Sequence, residues 1–304
     1  MIDKFIIFLR LKLLIFRGLV VLLALSFNKE MNKLFSGTHE LDISTPLVMG
    51  ILNLTPDSFF DGGRFHGIDA QVQHAEKMMR DGADIIDLGA VSTRPGAIEV
   101  SEADETERLI PSLAAIRKHL PGCFLSVDTF RAAVARAAVA EGADMINDIY
   151  GGRFGQGMFE TIASLNVPYI LMHMKGTPGD MQQNPVYSDV VAEVAYFFEQ
   201  QLARCREHGV RQVLIDPGFG FGKSVEHNFA LLSRLDELKS LGMPVVAGLS
   251  RKSMITRVLK ISPDEAKNGT SVLNAIALIK GADMLRVHDV KEAVEAVRLV
   301  KMLS

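Results

Sequence analysis

The sequence predicts an α/β chain folded as a single (β/α)8 TIM barrel, and three observations carry that prediction. Short apolar runs alternate with helical patterns from about Pro46 to the C-terminus with no long polar linker, the order of a parallel α/β fold. One junction recurs: Asp81-Gly-Ala-Asp-Ile-Ile-Asp-Leu-Gly, Glu141-Gly-Ala-Asp-Met-Ile-Asn-Asp-Ile and Lys280-Gly-Ala-Asp-Met-Leu-Arg-Val-His-Asp. Each copy has a charged helix end, a glycine that stops the helix, and an apolar run that reads as a strand buried on both faces. Finally, eight strand–helix units in about 250 residues fit a closed barrel better than an open doubly wound sheet. No Gly-x-Gly-x-x-Gly follows the first strand.

Residues 1–40 stand apart from this pattern and are expected to be an extension to a barrel domain that spans residues 41–304. Phe5 to Phe27 is almost all aliphatic or Phe, but Arg10, Lys12 and Arg17 interrupt it, leaving Gly18 to Asn28 as the longest uncharged run. That is shorter than the roughly 20 residues a spanning helix needs, so no stable membrane insertion is expected. The basic residues and Ala24-Leu25-Ser26 give it some likeness to a signal peptide. The favoured readings are an interfacial amphipathic anchor or an over-extended reading frame with a working start at Met31.

The strands expected in order are Val48–Leu54, Ile85–Gly89, Phe124–Asp128, Met145–Ile149, Tyr169–His173, Val213–Asp216, Val245–Ser250 and Leu285–His288. Each is a short apolar run that ends in a polar residue. Helical patterns fill the intervals, among them Asp69–Arg80, Ala103–His119, Arg131–Ala140 and Ser188–His208, with further apolar helical faces at Val272–Ile279 and Val290–Val300. Barrel packing accounts for most residues of those last two faces, yet they also offer a contact for a homodimer.

Composition sets limits on function. A net charge of -3 and a pI near 6.3 give no electrostatic reason to expect nucleic acid as a partner. Small molecules are the default. Only Cys123 and Cys205 are present, with no Cys-x-x-Cys and no Cys/His cluster at zinc spacing, which fits a reducing cytoplasmic location.

The strand ends carry the functional signal. They finish in Asn53, Asp87, Asp128, Asn147, His173, Asp216, Ser250-Arg251-Lys252 and Arg286-Val287-His288. In a barrel these ends converge on one face, and so many polar groups would be costly to bury unpaired. Any one of them could cap a helix; as a set they indicate an active site for a flat heterocycle bearing an anionic leaving group. The loop after the first strand, Asn53-Leu-Thr-Pro-Asp-Ser-Phe-Phe-Asp61-Gly-Gly, is long enough to close over a ligand. The loop after the second holds Arg94 beside a proline, suited to a fork-like contact with phosphate. Asp216-Pro-Gly-Phe-Gly-Phe-Gly-Lys-Ser tempts a nucleotide P-loop assignment but has Pro217 where the motif needs glycine, so its glycines are expected to let backbone and Phe221 approach a flat substrate. Alternation points Arg286 and His288 to the same side of their strand. His173 is read as structural, while Tyr150 and Phe154 are left unplaced.

Taken together, MGILNLTPDSFFDGG (49–63), STRPGA (92–97), SVDT (126–129), IND (146–148), LMHMKGTP (171–178), DPGFGFGK (216–223), SRKS (250–253) and RVHDV (286–290) resemble the dihydropteroate synthase family of folate biosynthesis. The motifs follow the family order across nearly all of residues 46–301. The resemblance implies a transferase that joins a pterin-methyl diphosphate to 4-aminobenzoate and releases diphosphate with Mg2+ as cofactor. It implies pterin contacts from Asp128, Asn147, Met172, Asp216, Lys252 and Arg286, with carboxylates accepting from the ring N–H groups. Asn53, Arg94, Arg286 and His288 would hold diphosphate, with Asn53 also at the metal. Phe59, Thr93, Pro95, Phe221 and Ser253 would form the aminobenzoate pocket. Catalytic roles fall on Asp61, Lys252 and Arg286, with Asp61 stabilising a pterin-methyl cation.

Two positions depart from the family pattern. Val91 stands where Glu or Gln is common, and Phe60 where Ser is common. Neither is a nominated ligand, but Val91 lies beneath the second loop and is expected to alter discrimination between aminobenzoate and sulfonamide mimics, which suggests a sulfonamide-insensitive variant. The alternatives are a pterin-binding methyltransferase, which needs no diphosphate clamp, and a non-catalytic pterin-binding paralogue.

Overall fold

Every apolar run expected to be a strand forms one in the computed structural model, which describes residues 31–54, 67–91, 100–177, 179, 181 and 185–303. The barrel strands are β3 (Leu47–Asn53), β4 (Ile85–Gly89), β5 (Phe124–Asp128), β6 (Met145–Asp148), β7 (Tyr169–Met172), β8 (Val213–Asp216), β9 (Val246–Ala247) and β10 (Met284–Val287). All pair in parallel. β3 to β8 lie side by side in chain order, β10 sits between β3 and β9, and a parallel bridge between Ile215 and Val245 closes the ring.

Around it lie α1 (Ile68–Asp81), α2 (Glu102–His119), α3 (Ala132–Ala140), α4 (Met158–Leu165), α5 (Val190–Glu207), α6 (Val225–Ser233), α7 (Ser253–Leu259), α8 (Lys267–Ile279) and α9 (Val290–Lys301). A 3-10 turn, Leu235–Leu241, follows α6. Outward strand residues such as Ile86, Leu125 and Leu171 join the helix faces in one apolar layer. No helix among the described residues is long and apolar enough to cross a membrane.

The repeated Gly-Ala-Asp junction has a specific structural task. Gly82, Gly142 and Gly281 all take positive φ, between 88° and 99°, the left-handed conformation that glycine adopts without a Cβ penalty. The following alanines close a Schellman motif: Ala83 N donates to Met78 O, Ala143 N to Ala138 O and Ala282 N to Ala277 O, each at 2.9 Å. Each aspartate then grips one residue of the neighbouring strand twice. Asp84 N donates to Val48 O at 2.9 Å while its carboxylate accepts from Val48 N at 2.8 Å. Asp144 does the same with Leu125 at 2.7 and 2.8 Å, and Asp283 with Val245 at 2.8 and 2.7 Å. The motif therefore ends a helix and fixes the register of the next strand pair at the barrel's N-terminal end, opposite the strand ends proposed as the site.

Residues 33–40, which the strand–helix pattern leaves outside the barrel, belong to its floor. β1 (Lys33–Ser36) and β2 (His39–Asp42) form an antiparallel hairpin turning at Gly37. Fully buried Leu34 joins Met49, Ile85, Phe124, Met145, Ile170, Leu214, Val246 and Met284 in one apolar cluster. The hairpin is tied down by a two-way pairing between the Phe35 backbone and the Gln212 amide, at 2.7 and 2.8 Å, and by His39 Nδ1 against Asp144 Oδ1 at 2.7 Å. A four-residue strand carries too little periodicity to announce such a plug.

β9 is shorter than the expected Val245–Ser250. Beyond Ala247 the chain turns, with Lys252 N donating to Leu249 O and Arg251 at φ 57°, which carries Lys252 back to the barrel mouth. β10 likewise ends at Val287, because His288 N donates to Ser250 Oγ instead of extending the ladder.

Candidate active site

Side chains two apart on a strand share a face, and inside this barrel that step converts an apolar floor into a polar site. Above Ile85 stands Asp87; above Phe124, Ser126 and then Asp128; above Met145, Asn147; above Ile170, Met172. Above Leu214 stands Asp216; above Val246, Gly248; above Met284, Arg286. The helix caps come from elsewhere, from Ser101, Asp189 and Ser224, so the strand-end carboxylates are not committed to capping.

Arg286 organises one half of the mouth. Its Nε donates to Asp87 Oδ2 at 2.6 Å and its Nη2 to Asp128 Oδ2 at 2.8 Å. Asp87 Oδ2 also accepts from Asn147 Nδ2 at 3.1 Å. Burial lowers the basicity of the guanidinium, but Asp87 and Asp128 more than offset this and hold it charged. Burial raises the Asp128 carboxyl to about 7 against the lowering effect of Arg286, with Asp87 adding to the rise.

Three buried polar atoms here, Asp87 Oδ1, Asn147 Oδ1 and Ser126 Oγ, have no hydrogen-bond partner among the described residues. Buried polar groups are rarely left unpaired in a folded protein, because desolvation without a bond costs about 1–3 kcal/mol each. A cluster of such atoms at a barrel mouth is what a polar ligand would satisfy.

Gly248 opens the other half. A Cβ at that position would stand 3.8 Å from both Asp216 Oδ2 and Lys252 Nζ, and 4.0 Å from Arg286 Cβ. Asp216 is buried, accepts from Gly218 N at 2.7 Å, and has its carboxyl pushed upward by burial against the pull of Lys252. Burial lowers Lys252 to about 8, with Asp216 opposing. The Lys252 ammonium donates to Phe219 O and lies 4.6 Å from the Phe221 ring centre. Asp128, Asn147, Asp216, Lys252 and Arg286, expected from the sequence to act together, are therefore assembled around one space.

Met172 is buried beside Phe130, Ile149, Met174 and Met181, with Val91, Tyr150 and Phe221 packed against them. Tyr150 and Phe154, unplaced by the sequence, form an aromatic triad with Phe130 at centroid separations of 4.5–5.1 Å. Asn53 ends β3, half-buried and in register with Gly89. His288 is half-buried, with Nδ1 2.9 Å from Ser250 Oγ. Ser253 is exposed at the start of α7. Asp61, Phe59, Phe60, Thr93, Arg94 and Pro95 lie outside the described residues.

Two nearby residues sort themselves by their partners. Arg251 is turned away from the mouth and forks onto Asp289 at 2.8 and 3.0 Å. His173 is buried with Nδ1 2.9 Å from Lys223 Nζ, and burial followed by the Lys223 charge holds its basicity well below the usual histidine range. That agrees with a structural role. Sequence reasoning noted Asp87 among the strand ends but gave it no role. Its signal was there, since Asp87 stands two residues above Ile85 on an inward face.

The comparisons with known proteins agree with this geometry. The family model described as pterin binding enzyme matches residues 49–288. The chain is 47% identical over 271 residues to the dihydropteroate synthase of Escherichia coli strain K12, covering 88% of this chain and 95% of that protein. Its structure is similar to that of Yersinia pestis dihydropteroate synthase in a sulfonamide drug complex, at TM-score 0.84 and 43% identity over 89% of this chain and 98% of the other. It is equally similar to Xanthomonas albilineans dihydropteroate synthase with 4-aminobenzoic acid, at TM-score 0.84 and 42% identity over 90% and 98%. The polar mouth built on this barrel and the length over which these proteins match lead to one assignment: the chain belongs to the dihydropteroate synthase family of pterin binding enzymes.

Proposed function

We propose that this chain is the folate-pathway transferase of its family, condensing 6-hydroxymethyl-7,8-dihydropterin diphosphate with 4-aminobenzoate to give 7,8-dihydropteroate and diphosphate. The observation that carries the reading is the set of unpaired buried atoms at Asp87, Ser126 and Asn147 beside Asp128, Asp216 and Lys252. A pterin edge alternates donors and acceptors, and this group of carboxylates, amide and ammonium complements it. The structural neighbour that holds 4-aminobenzoic acid supports the choice of second substrate.

In this reading Asp128 and Asp216 accept from the pterin's amino and ring N–H groups, Asn147 supplies an amide, and Lys252 donates to the ring's carbonyl and nitrogen. Met172 gives an apolar floor. Arg286, already clamped by Asp87 and Asp128, stacks on the pterin face and, with Asn53, Arg94 and His288, meets the diphosphate, so charge is stabilised as the C–O bond breaks. Asp61 stabilises the pterin-methyl cation. The arylamine is held by Phe59, Thr93, Pro95, Phe221 and Ser253; being weakly basic, it needs positioning more than a strong base. No group of three His, Cys, Asp or Glu that could hold a metal exists among the described residues. A single neutral amide, Asn53, suits Mg2+ held mainly by substrate phosphate oxygens and water. Bound there, the ion would neutralise charge on the leaving diphosphate.

The wider assignments follow. We place the enzyme in the cytoplasm, where the buried free thiols Cys123 and Cys205 suit a reducing environment. We also assign it as a homodimer through the exposed apolar residues of α8 and α9, Val272, Ile276, Ile279 and Leu299.

The test is direct. Purified protein with the pterin diphosphate, 4-aminobenzoate and Mg2+ should form dihydropteroate, and Asp128→Ala should abolish pterin binding measured by calorimetry. Bound pterin without product would instead favour a non-catalytic paralogue. Unchanged pterin affinity in Asp128→Ala would sink the recognition model.

A further inference from the structure

The loop after β8 follows a path that its own sequence does not dictate. Gly218 and Gly222 have positive φ, and a Cβ on either would fall 1.9 Å from His173 O or 2.1 Å from Lys175 O. The loop therefore lies directly on the chain that extends β7. Its backbone is held from four directions by three buried side chains and the half-buried Tyr187. Asp216 takes Gly218 N and Asn228 takes Gly220 N, each at 2.7 Å, and Tyr187 donates to Gly222 O at 2.9 Å. Lys223, only 2% exposed, supplies the fourth hold: Nζ donates to Gly218 O at 2.9 Å and to Phe221 O at 3.1 Å, with His173 Nδ1 at 2.9 Å.

Such burial of a lysine is uncommon without compensation, and nothing in the chemistry proposed above uses this amine. Burial holds its basicity well below the usual lysine range, opposed by Asp216. Its two carbonyl contacts nonetheless stand in either charge state, because an amine and an ammonium can both donate two hydrogen bonds. The loop so fixed ends in two functional contacts, Phe219 O, which receives the Lys252 ammonium, and the Phe221 ring beside that ammonium.

We propose that Lys223 is a positioning residue that folds the loop back on itself and thereby presents Phe221 to the arylamine substrate. The proposal rests on the reading that Phe221 lines the aminobenzoate pocket. Lys223 touches no substrate, and its effect reaches the reaction through Phe221.

A double-mutant cycle on steady-state kinetics tests it. Lys223→Met should raise the KM for 4-aminobenzoate about tenfold, since misplacing a positioning group by about 1 Å has costs of that order or larger. The KM for pterin diphosphate should change less than about twofold in the same variant. Phe221→Ala should also raise the aminobenzoate KM, and the double variant should be no worse than the poorer single, because residues acting as one unit are not additive. Additive effects, an unchanged aminobenzoate KM, or an equal rise in both KM values would overturn the proposal. If Lys223→Met does not fold, Tyr187→Phe removes a neighbouring hold on the same loop. It should show the same split to a smaller degree, and its absence is equally adverse. Should Phe221→Ala leave the aminobenzoate KM unchanged, the pocket assignment fails and the proposal falls with it; if only Lys223→Met is silent, the positioning role alone fails.

Discussion

Asp128 and Lys252 set opposing limits on the protonation state that can read a pterin. Asp128 must be ionised to accept from ring N–H groups with both oxygens, and Lys252 must keep its positive charge to make charge-assisted hydrogen bonds to the ring. With Asp128 raised to about 7 and Lys252 lowered to about 8, acceptor capacity is lost as pH falls through the first value. Donor charge is lost as pH rises through the second. The kcat/KM for pterin diphosphate should therefore pass through a narrow maximum between those limits. Lys252→Arg, whose guanidinium stays charged, should move the alkaline limb upward in a pH–rate profile. Asp87 belongs to this scale too, because it orients both Arg286 and the Asn147 amide. Val91 packs against the Met172 cluster, where a polar residue would be out of place unless it faced ligand. Val91→Gln should lower the Ki of a sulfonamide several-fold relative to the KM for 4-aminobenzoate; an unchanged ratio would separate Val91 from drug discrimination.

Among the elements, the Gly-Ala-Asp junctions and the N-terminal hairpin decide how firmly the barrel is closed at its floor. Leu34→Ala should cost about 2–4 kcal/mol in urea unfolding, as large-to-small changes in cores do. The three junction aspartates should not be equivalent. Asp84 serves the Val48 amide, whereas Asp144 serves the Leu125 amide and also meets Arg117 and His39. Asp144→Ala is thus expected to cost about 3 kcal/mol against about 1 for Asp84→Ala, because it also removes the carboxylate partner of the half-buried Arg117 and frees the hairpin. Equal losses would show that the hairpin latch contributes nothing. The repeat was legible in sequence, but its aspartates read only as helix-to-strand punctuation. Their double grip on Val48, Leu125 and Val245 lies between residues at least 19 positions apart.

For the molecule as a whole, Ile279, Leu299 and Met302 stand 62%, 70% and 82% exposed on or beside α8 and α9, and a partner subunit is the expected cover for such apolar area. Light scattering should report a dimer, and Ile279→Glu should yield monomer; a monomeric wild type would remove the assignment. The sequence by itself determined the barrel, because strands buried on both faces and helices with one apolar face leave periodic marks within a few residues of one another. It also determined that the strand ends share one face, so Asp128, Asn147, Asp216, Lys252 and Arg286 could be grouped without coordinates. Tertiary structure alone decided which of these groups are paired. Arg286 meets Asp87 and Asp128 from 199 and 158 residues away, while its cationic counterpart Arg251 is drawn off to Asp289 and Lys223 is sealed under a loop. Hydrogen bonds and desolvation depend on distances in space, and between residues so far apart in the chain no local pattern records them.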